Sequence, residues 1–268
     1  MGKLVTKNLT VNLQGKEILT DITISFKAGL RTAIIGPNGC GKSTLLRAIS
    51  GMSHHYHGEV LLDDKKLRSF KQRELSKKIA ILPQGTSAPM DLTVGELVEY
   101  GRFPYRSWFK GNTKEDKEAV NWAIEQTKLQ DLIERQVSSL SGGERQRAWI
   151  AMALAQKPEI LLLDEPTTYL DIAHQLEVMK IVEELNQKFK ITVVMVLHDI
   201  NHARQYADEI VVIKNHQIFS QGKPEEVLTE QMLEHVFGVV AEKFVNEAGK
   251  SIWMPRSLVE KKEMDAAR

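Results

Sequence analysis

Apolar residues fall in short runs separated by polar, turn-prone stretches. Residues 4–11 predict a strand, and residues 17–26 predict further strands around a turn at Asp21. Residues 31–35 form a brief apolar run that stops at Gly36, the pattern of a buried strand. A helix over 43–49 follows, closed by Gly51. Residues 79–82 predict another short strand, ended by Pro83. Between 92 and 140 the character changes: 96–100, 114–127 and 129–136 carry helical spacing and many charges, which predicts a helical insert. Residues 160–163 are continuously apolar, as in a parallel strand covered on both faces. A helix over 173–189, a β-branched strand over 191–197, and a hairpin of 210–213 with 217–221 over Asn215 complete the pattern. Strands alternating with helices predict an α/β fold with a mainly parallel sheet.

Composition narrows the function classes. The 268 residues suffice for a large core and sit near the upper limit of one undivided domain. Lys plus Arg number 36 against 35 Asp plus Glu, so no global charge draws the chain to nucleic acid or lipid head groups. Cys40 is the single cysteine, which excludes an intramolecular disulfide and suits a reducing compartment. The first residues lack the apolar run of a secretory signal, and the Met-Gly start with Thr6 matches an acylation pattern only in outline. No stretch approaches the ~20 apolar residues that span a bilayer, so work at a membrane requires a partner. Each motif below occurs once, which gives one nucleotide-binding module rather than a tandem pair.

The segment Gly36-Pro37-Asn38-Gly39-Cys40-Gly41-Lys42-Ser43 has the spacing of a phosphate-binding loop, with an apolar strand before it and a helix after. Its glycines let successive N–H groups turn toward phosphate oxygens, and the helix adds its positive end. Lys42 is expected near the β- and γ-phosphates of ATP, and Ser43 on Mg²⁺. Thr44, the next residue, joins the expected nucleotide-binding set. Cys40 reads as a small filler of the loop rather than a redox switch. The run at 160–163 ends in Asp164-Glu165-Pro166. Carboxylates at a buried strand end are costly without partners, and a metal ion and an attacking water supply them. Asp164 is expected in the metal shell and Glu165 as general base.

Leu140-Ser141-Gly142-Gly143-Glu144 opens a further helix, with Ser141 as cap and Glu144 completing a capping box. Glycines and free N–H groups there make a second phosphate-binding end. Head-to-tail pairing of two copies would clamp each nucleotide between the loop of one and the Ser141 segment of the other.

With these motifs in this order, nearly the whole chain to about Phe237 resembles the ABC transporter ATPases. The resemblance implies a P-loop NTPase core with a mainly parallel sheet, an antiparallel β subdomain and an inserted helical subdomain. Residues 1–237 would form one domain, with 1–84 and 148–237 as core, 85–147 as helical subdomain, and 238–268 as tail. It further implies that Gln84 reaches the metal, that Asp171 in Tyr169-Leu170-Asp171 touches the opposite copy, and that His198 contacts the γ-phosphate. Ser141, Gly142 and Gly143 would bind the partner's nucleotide. The chain departs from the family at Leu13, where an aromatic residue usually stacks on adenine. Leu13 can pack but not stack, so the base is held more loosely or by another side chain.

The segments at 92–105, 167–171, 197–201 and 221–227 resemble the ATPases of bacterial iron(III)-siderophore importers, with haem and cobalamin importers nearby. This implies a homodimer at the cytoplasmic face of the membrane, beneath two permease subunits and served by an extracytoplasmic binding protein. Residues 86–106 would be the docking surface, with Pro89, Met90, Phe103, Tyr105 and Trp108 lining a groove, unless these aromatics belong to the insert's core. His54, His55 and His57 lack a neighbouring carboxylate or cysteine to complete a metal site. Residues 239–268 carry no motif, and 260–268 read as a charged, frayed end. Nucleic-acid-directed ATPases of this type usually carry two modules, coiled coils or zinc modules, none of which fits here. An exporter ATPase is disfavoured by the segment after Gln84.

Overall fold

The computed structural model describes residues 2–85, 91–106, 113–245, 247 and 251–259. β1 (Leu4–Leu13) and β2 (Lys16–Phe26) pair antiparallel, and β3 (Arg31–Ile35) leads into α1 (Lys42–Ile49). β4 (His57–Leu62) and β5 (Lys65–Lys66) return to the first sheet, whose order is β2-β1-β4-β5. After α2 (Gln72–Lys78) and β6 (Ile79–Leu82) come three helices, α3 (Val94–Tyr100), α4 (Lys114–Gln126) and α5 (Gly142–Ala155). Then follow β7 (Ile160–Asp164), α6 (Ile172–Phe189), β8 (Thr192–Val196), α7 (Ile200–Tyr206), β9 (Glu209–Lys214) and β10 (Gln217–Gly222). The second sheet runs β10-β9-β3-β8-β7-β6 and is parallel except for β10. β11 (Val239–Val245) and β12 (Ser251–Leu258) close the described chain as an antiparallel hairpin.

The two-residue period of strands divides the core. Ala33, Ile35, Leu161, Leu163, Val193 and Met195 face the helical layer. Their neighbours Ile34, Leu162, Val194 and Val196 face α1 and the antiparallel sheet, where Leu45, Leu46 and Ile49 meet Leu4, Leu9 and Phe26. α1 is therefore gripped between two sheets. Each aliphatic side chain buried there contributes roughly 1.5–3 kcal/mol. This fixes the helix whose first turn carries Lys42 and Ser43.

Two expectations need correction. Residues 17–26 hold no turn at Asp21: β2 is continuous. Asp21 (φ 52°) and Asn8 (φ 48°) lie diagonally across the ladder on either side of the Leu9–Ile22 pair, the Asn8 side-chain amide donates to Asp21 Oδ1 at 2.6 Å, and the register shifts there. Left-handed backbone makes a bulge here rather than a turn. Residues 129–136 hold only a short 3₁₀ turn at Gln130–Leu132. Backbone bonds from Val94 N to Arg135 O and from Val137 N to Leu92 O lay this segment along α3 instead. α3 and α4 both pack on α5, which runs unbroken through residues 147 and 148. Strand β4, helix α2 and the 239–258 hairpin were not expected from the sequence. Pro89, Met90, Trp108 and residues 260–268 lie outside the described residues.

Candidate functional site

The phosphate-type loop grows from the end of β3. Gly36 has φ 151°, and a Cβ there would stand 2.1 Å from the Ile213 carbonyl oxygen, so the chain passes β9 only as glycine. Gly41 (φ 105°) turns the loop into α1, leaving the first N–H groups of that helix unoccupied by any side-chain cap. Lys42 is 5% exposed, and its Nζ donates to the carbonyls of Gly36 (2.8 Å) and Pro37 (2.9 Å). Among the described residues no carboxylate pairs with it, so its charge is free to meet an anion. Cys40 is buried, and burial pushes its thiol up, with the Lys42 charge opposing. A neutral thiol agrees with the filler reading.

β7 delivers the two carboxylates. Asp164 is 3% exposed and accepts from Ser43 Oγ at 2.9 Å. Burial raises its carboxyl above the ordinary range, and the Ser43 bond only partly opposes this. Glu165 turns into left-handed backbone (φ 54°), which swings its side chain across the sheet end. Its Oε2 accepts from Gln84 Nε2 (2.6 Å) and Thr168 Oγ1 (3.1 Å), and its Oε1 lies 2.5 Å from His198 Nε2. Gln84 follows β6 and His198 follows β8, so the ends of three adjacent parallel strands converge on one carboxylate.

These groups line a cavity of about 470 Å³. It brings together Asn38, Gly39, Gly41, Lys42, Ser43, Thr44, Gln84, Glu165 and His198, with Asp164 behind Ser43. Ser141, Gly142, Gly143 and Asp171 do not line it. They meet one another at the starts of α5 and α6. A Cβ on Gly143 would stand 2.0 Å from His174 Cδ2, and Asp171 Oδ1 holds both the backbone N (2.9 Å) and Nδ1 (2.8 Å) of His174. The Ser141–Glu144 capping box is present.

Three lining residues escaped the sequence reading of the site: Ile18, Thr168 and Tyr169. Thr168 had a signal, three residues after Glu165 at a strand-to-helix connection. Ile18 had none, because β2 reaches the loop only through sheet packing. Leu13 is 43% exposed and does not line the cavity. Ile18 is the apolar side chain from the antiparallel sheet that does. Tyr169 is 96% exposed with φ 64°, and Ile172 is 77% exposed.

The family model described as ABC transporter matches residues 19–168. The chain is 48% identical over 239 residues to the probable siderophore transport system ATP-binding protein of Bacillus subtilis, covering 89% of this chain and 87% of that protein. It is 46% identical to a petrobactin import ATP-binding protein of Bacillus anthracis (91% and 89% covered) and 44% identical to the iron(3+)-hydroxamate import ATP-binding protein of Bacillus subtilis (90% of each). Among solved structures, a dimeric bacterial ABC transporter cassette superposes with TM-score 0.72 at 31% identity, covering 82% of this chain and 98% of that one.

Proposed function

Because the chain belongs to the ABC transporter family, we propose that it is the ATP-hydrolysing subunit of a bacterial importer that takes up an iron(III)-siderophore through partner permease subunits. The siderophore-import relatives support the cargo. The observation that carries the reaction is Glu165, gathered with Lys42, Ser43, Gln84 and His198 around one cavity at the positive end of α1.

The loop at 36–44 wraps the phosphates of ATP, and Lys42 exchanges its two loop carbonyls for β- and γ-phosphate oxygens. Ser43 Oγ and Asp164 Oδ1, 2.9 Å apart, are hard oxygen donors, and among the described residues no cation forms an ion pair with the buried Asp164, so they fit Mg²⁺, with Gln84 lining the same cavity. Mg²⁺ held by these residues would supply charge neutralisation for the nucleotide's phosphates. Glu165 takes the proton of the attacking water. Both of its oxygens are now engaged, so a base needs one released. The γ-phosphate offers His198 a stronger acceptor, and its departure frees Oε1 to face the water, while Gln84 and Thr168 keep Oε2 in place.

Ser141, Gly142 and Gly143 then cap the nucleotide held by a second copy, and Asp171 lies along the seam between copies. Their placement outside the chain's own cavity supports this division, as does the exposure of Tyr169 and Ile172. Among the described residues no helix is long and apolar enough to cross a membrane. Attachment to the cytoplasmic face therefore falls to the permeases, docked on the segment around Tyr100 and Phe103, both exposed. An extracytoplasmic binding protein delivers the cargo. The helical insert carries the docking segment and the Ser141 turn, and the remaining residues to 237 the loop and base. Reconstitution of the chain with siderophore-importer permease subunits tests the proposal. ATP-dependent entry of ferric siderophore into vesicles is expected; entry of cobalamin or haem alone would reassign the cargo.

A further inference from the structure

The closing hairpin is tied to the helix that begins two residues after His198. Asn201, in the first turn of α7, donates Nδ2 to Trp253 O at 3.0 Å and accepts from Trp253 N at Oδ1 at 2.8 Å. Its side-chain amide thereby pairs with β12 as a neighbouring strand would. The same turn is capped by Asp199, whose Oδ1 accepts from Asn201 N (2.7 Å) and His202 N (3.1 Å). On the other side of His198, Leu197 N is bonded to Ile34 O at 3.1 Å. The histidine is thus suspended between the sheet and a helix start whose side-chain hydrogen bonds to the hairpin, among the described residues, come from Asn201 alone.

The Trp253 side chain is 4% exposed and shares a core cluster with Ala203 and Tyr206 of α7 and Ala241 of β11. Apolar burial therefore already holds the hairpin to the domain. The two directional bonds add orientation: they fix where α7 starts along the strand.

We propose that Asn201 is a positioning residue for ATP hydrolysis, its paired bonds to Trp253 setting the reach of the His198 imidazole to Glu165 and to the γ-phosphate. The 239–258 hairpin is then part of the hydrolytic apparatus. This rests on the reading of His198 given above.

The test uses the full chain, with steady-state ATP hydrolysis, ATP titration, thermal melting and the His198 Cε1–H resonance, identified by its loss in His198→Ala. Asn201→Ala is expected to lower kcat about tenfold with KM for ATP within roughly twofold, and to shift that resonance. Asn201→Asp keeps the acceptor for Trp253 N but turns a carboxylate oxygen toward Trp253 O, so it should lower kcat as well; it also reports if the alanine variant fails to fold. Wild-type kcat and an unmoved resonance in a folded Asn201 variant, with His198→Ala impaired, would overturn the inference and leave the His198 reading standing. Wild-type turnover by His198→Ala would remove both.

Discussion

His198 Nε2 lies 2.5 Å from Glu165 Oε1, while Gln84 and Thr168 occupy the carboxylate's other oxygen. The carboxylate proposed as the base is thus engaged by three side chains. Under the proposed mechanism, the histidine is the one of the three that meets a new phosphate acceptor when nucleotide arrives. On that reading, occupancy of the loop is coupled to exposure of Glu165.

Thr168→Val tests the part that stays in place. The substitution keeps the shape and removes the hydroxyl that donates to Glu165 Oε2. A hydrogen bond to a charged group is worth about 1.5–3 kcal/mol, so kcat should fall roughly tenfold or more, with ATP affinity retained. Steady-state hydrolysis and a nucleotide-binding titration measure the two separately.

Gly143 and Gly142 should separate packing from nucleotide capping. Gly143→Ala drives a Cβ into the His174 ring and should lower stability by about 1–3 kcal/mol, seen as a reduced melting temperature. Gly142→Ala meets only Leu170 Cδ2, at 3.4 Å, and should melt like the wild type. Any loss of turnover in that variant then reports on the capped nucleotide, not on the fold.

Arg102 and Asp116 form a buried ion pair at 2.8 Å, each side chain 6% exposed, and Arg102 also donates to Ala155 O at 2.7 Å. Burial alone would raise the Asp116 carboxyl, but bonds from Arg102 and Thr113 carry it below the ordinary range. Its stabilisation is therefore present above the unfolded-state value and lost as pH falls through the depressed one. Arg102→Ala leaves the carboxylate buried without its cation and should cost about 3–5 kcal/mol in denaturant unfolding near neutral pH, with a smaller penalty in acid.

Asp164 has the opposite sign. Its carboxyl is raised by burial, so its charged form destabilises the nucleotide-free chain, and stability is regained as pH falls through the raised value. Asp164→Asn should raise the melting temperature without nucleotide, remove that acid-side gain, and abolish the further rise that ATP with Mg²⁺ gives the wild type. Thermal melts across pH, with and without Mg²⁺-ATP, check all three.

The positions of the loop, Glu165 and His198 at strand ends were legible because each lies in a short motif at the end of an apolar run. Parallel strands such as β3 and β7 announce themselves by uninterrupted burial on both faces. The hairpin at 239–258 was not legible. On its strands Val240, Phe244, Ile252 and Met254 are partly or largely exposed, so the alternation that marks a half-buried strand is blurred, and Trp253 gives one anchor rather than a pattern. Ile18 was missed for a related reason: its role comes from the way β2 packs over α1, a tertiary contact without local signal. Asp21 misled because left-handed backbone serves turns and bulges alike.

The most direct test of the account is hydrolysis by Glu165→Gln. The amide keeps the shape and the hydrogen-bonding reach toward Gln84, Thr168 and His198 but cannot take a proton from water. ATP binding should persist, turnover should fall by roughly 10²-fold or more, and ATP should trap a two-copy species on size-exclusion chromatography. Wild-type turnover in that variant would contradict the assignment of Glu165 as the base.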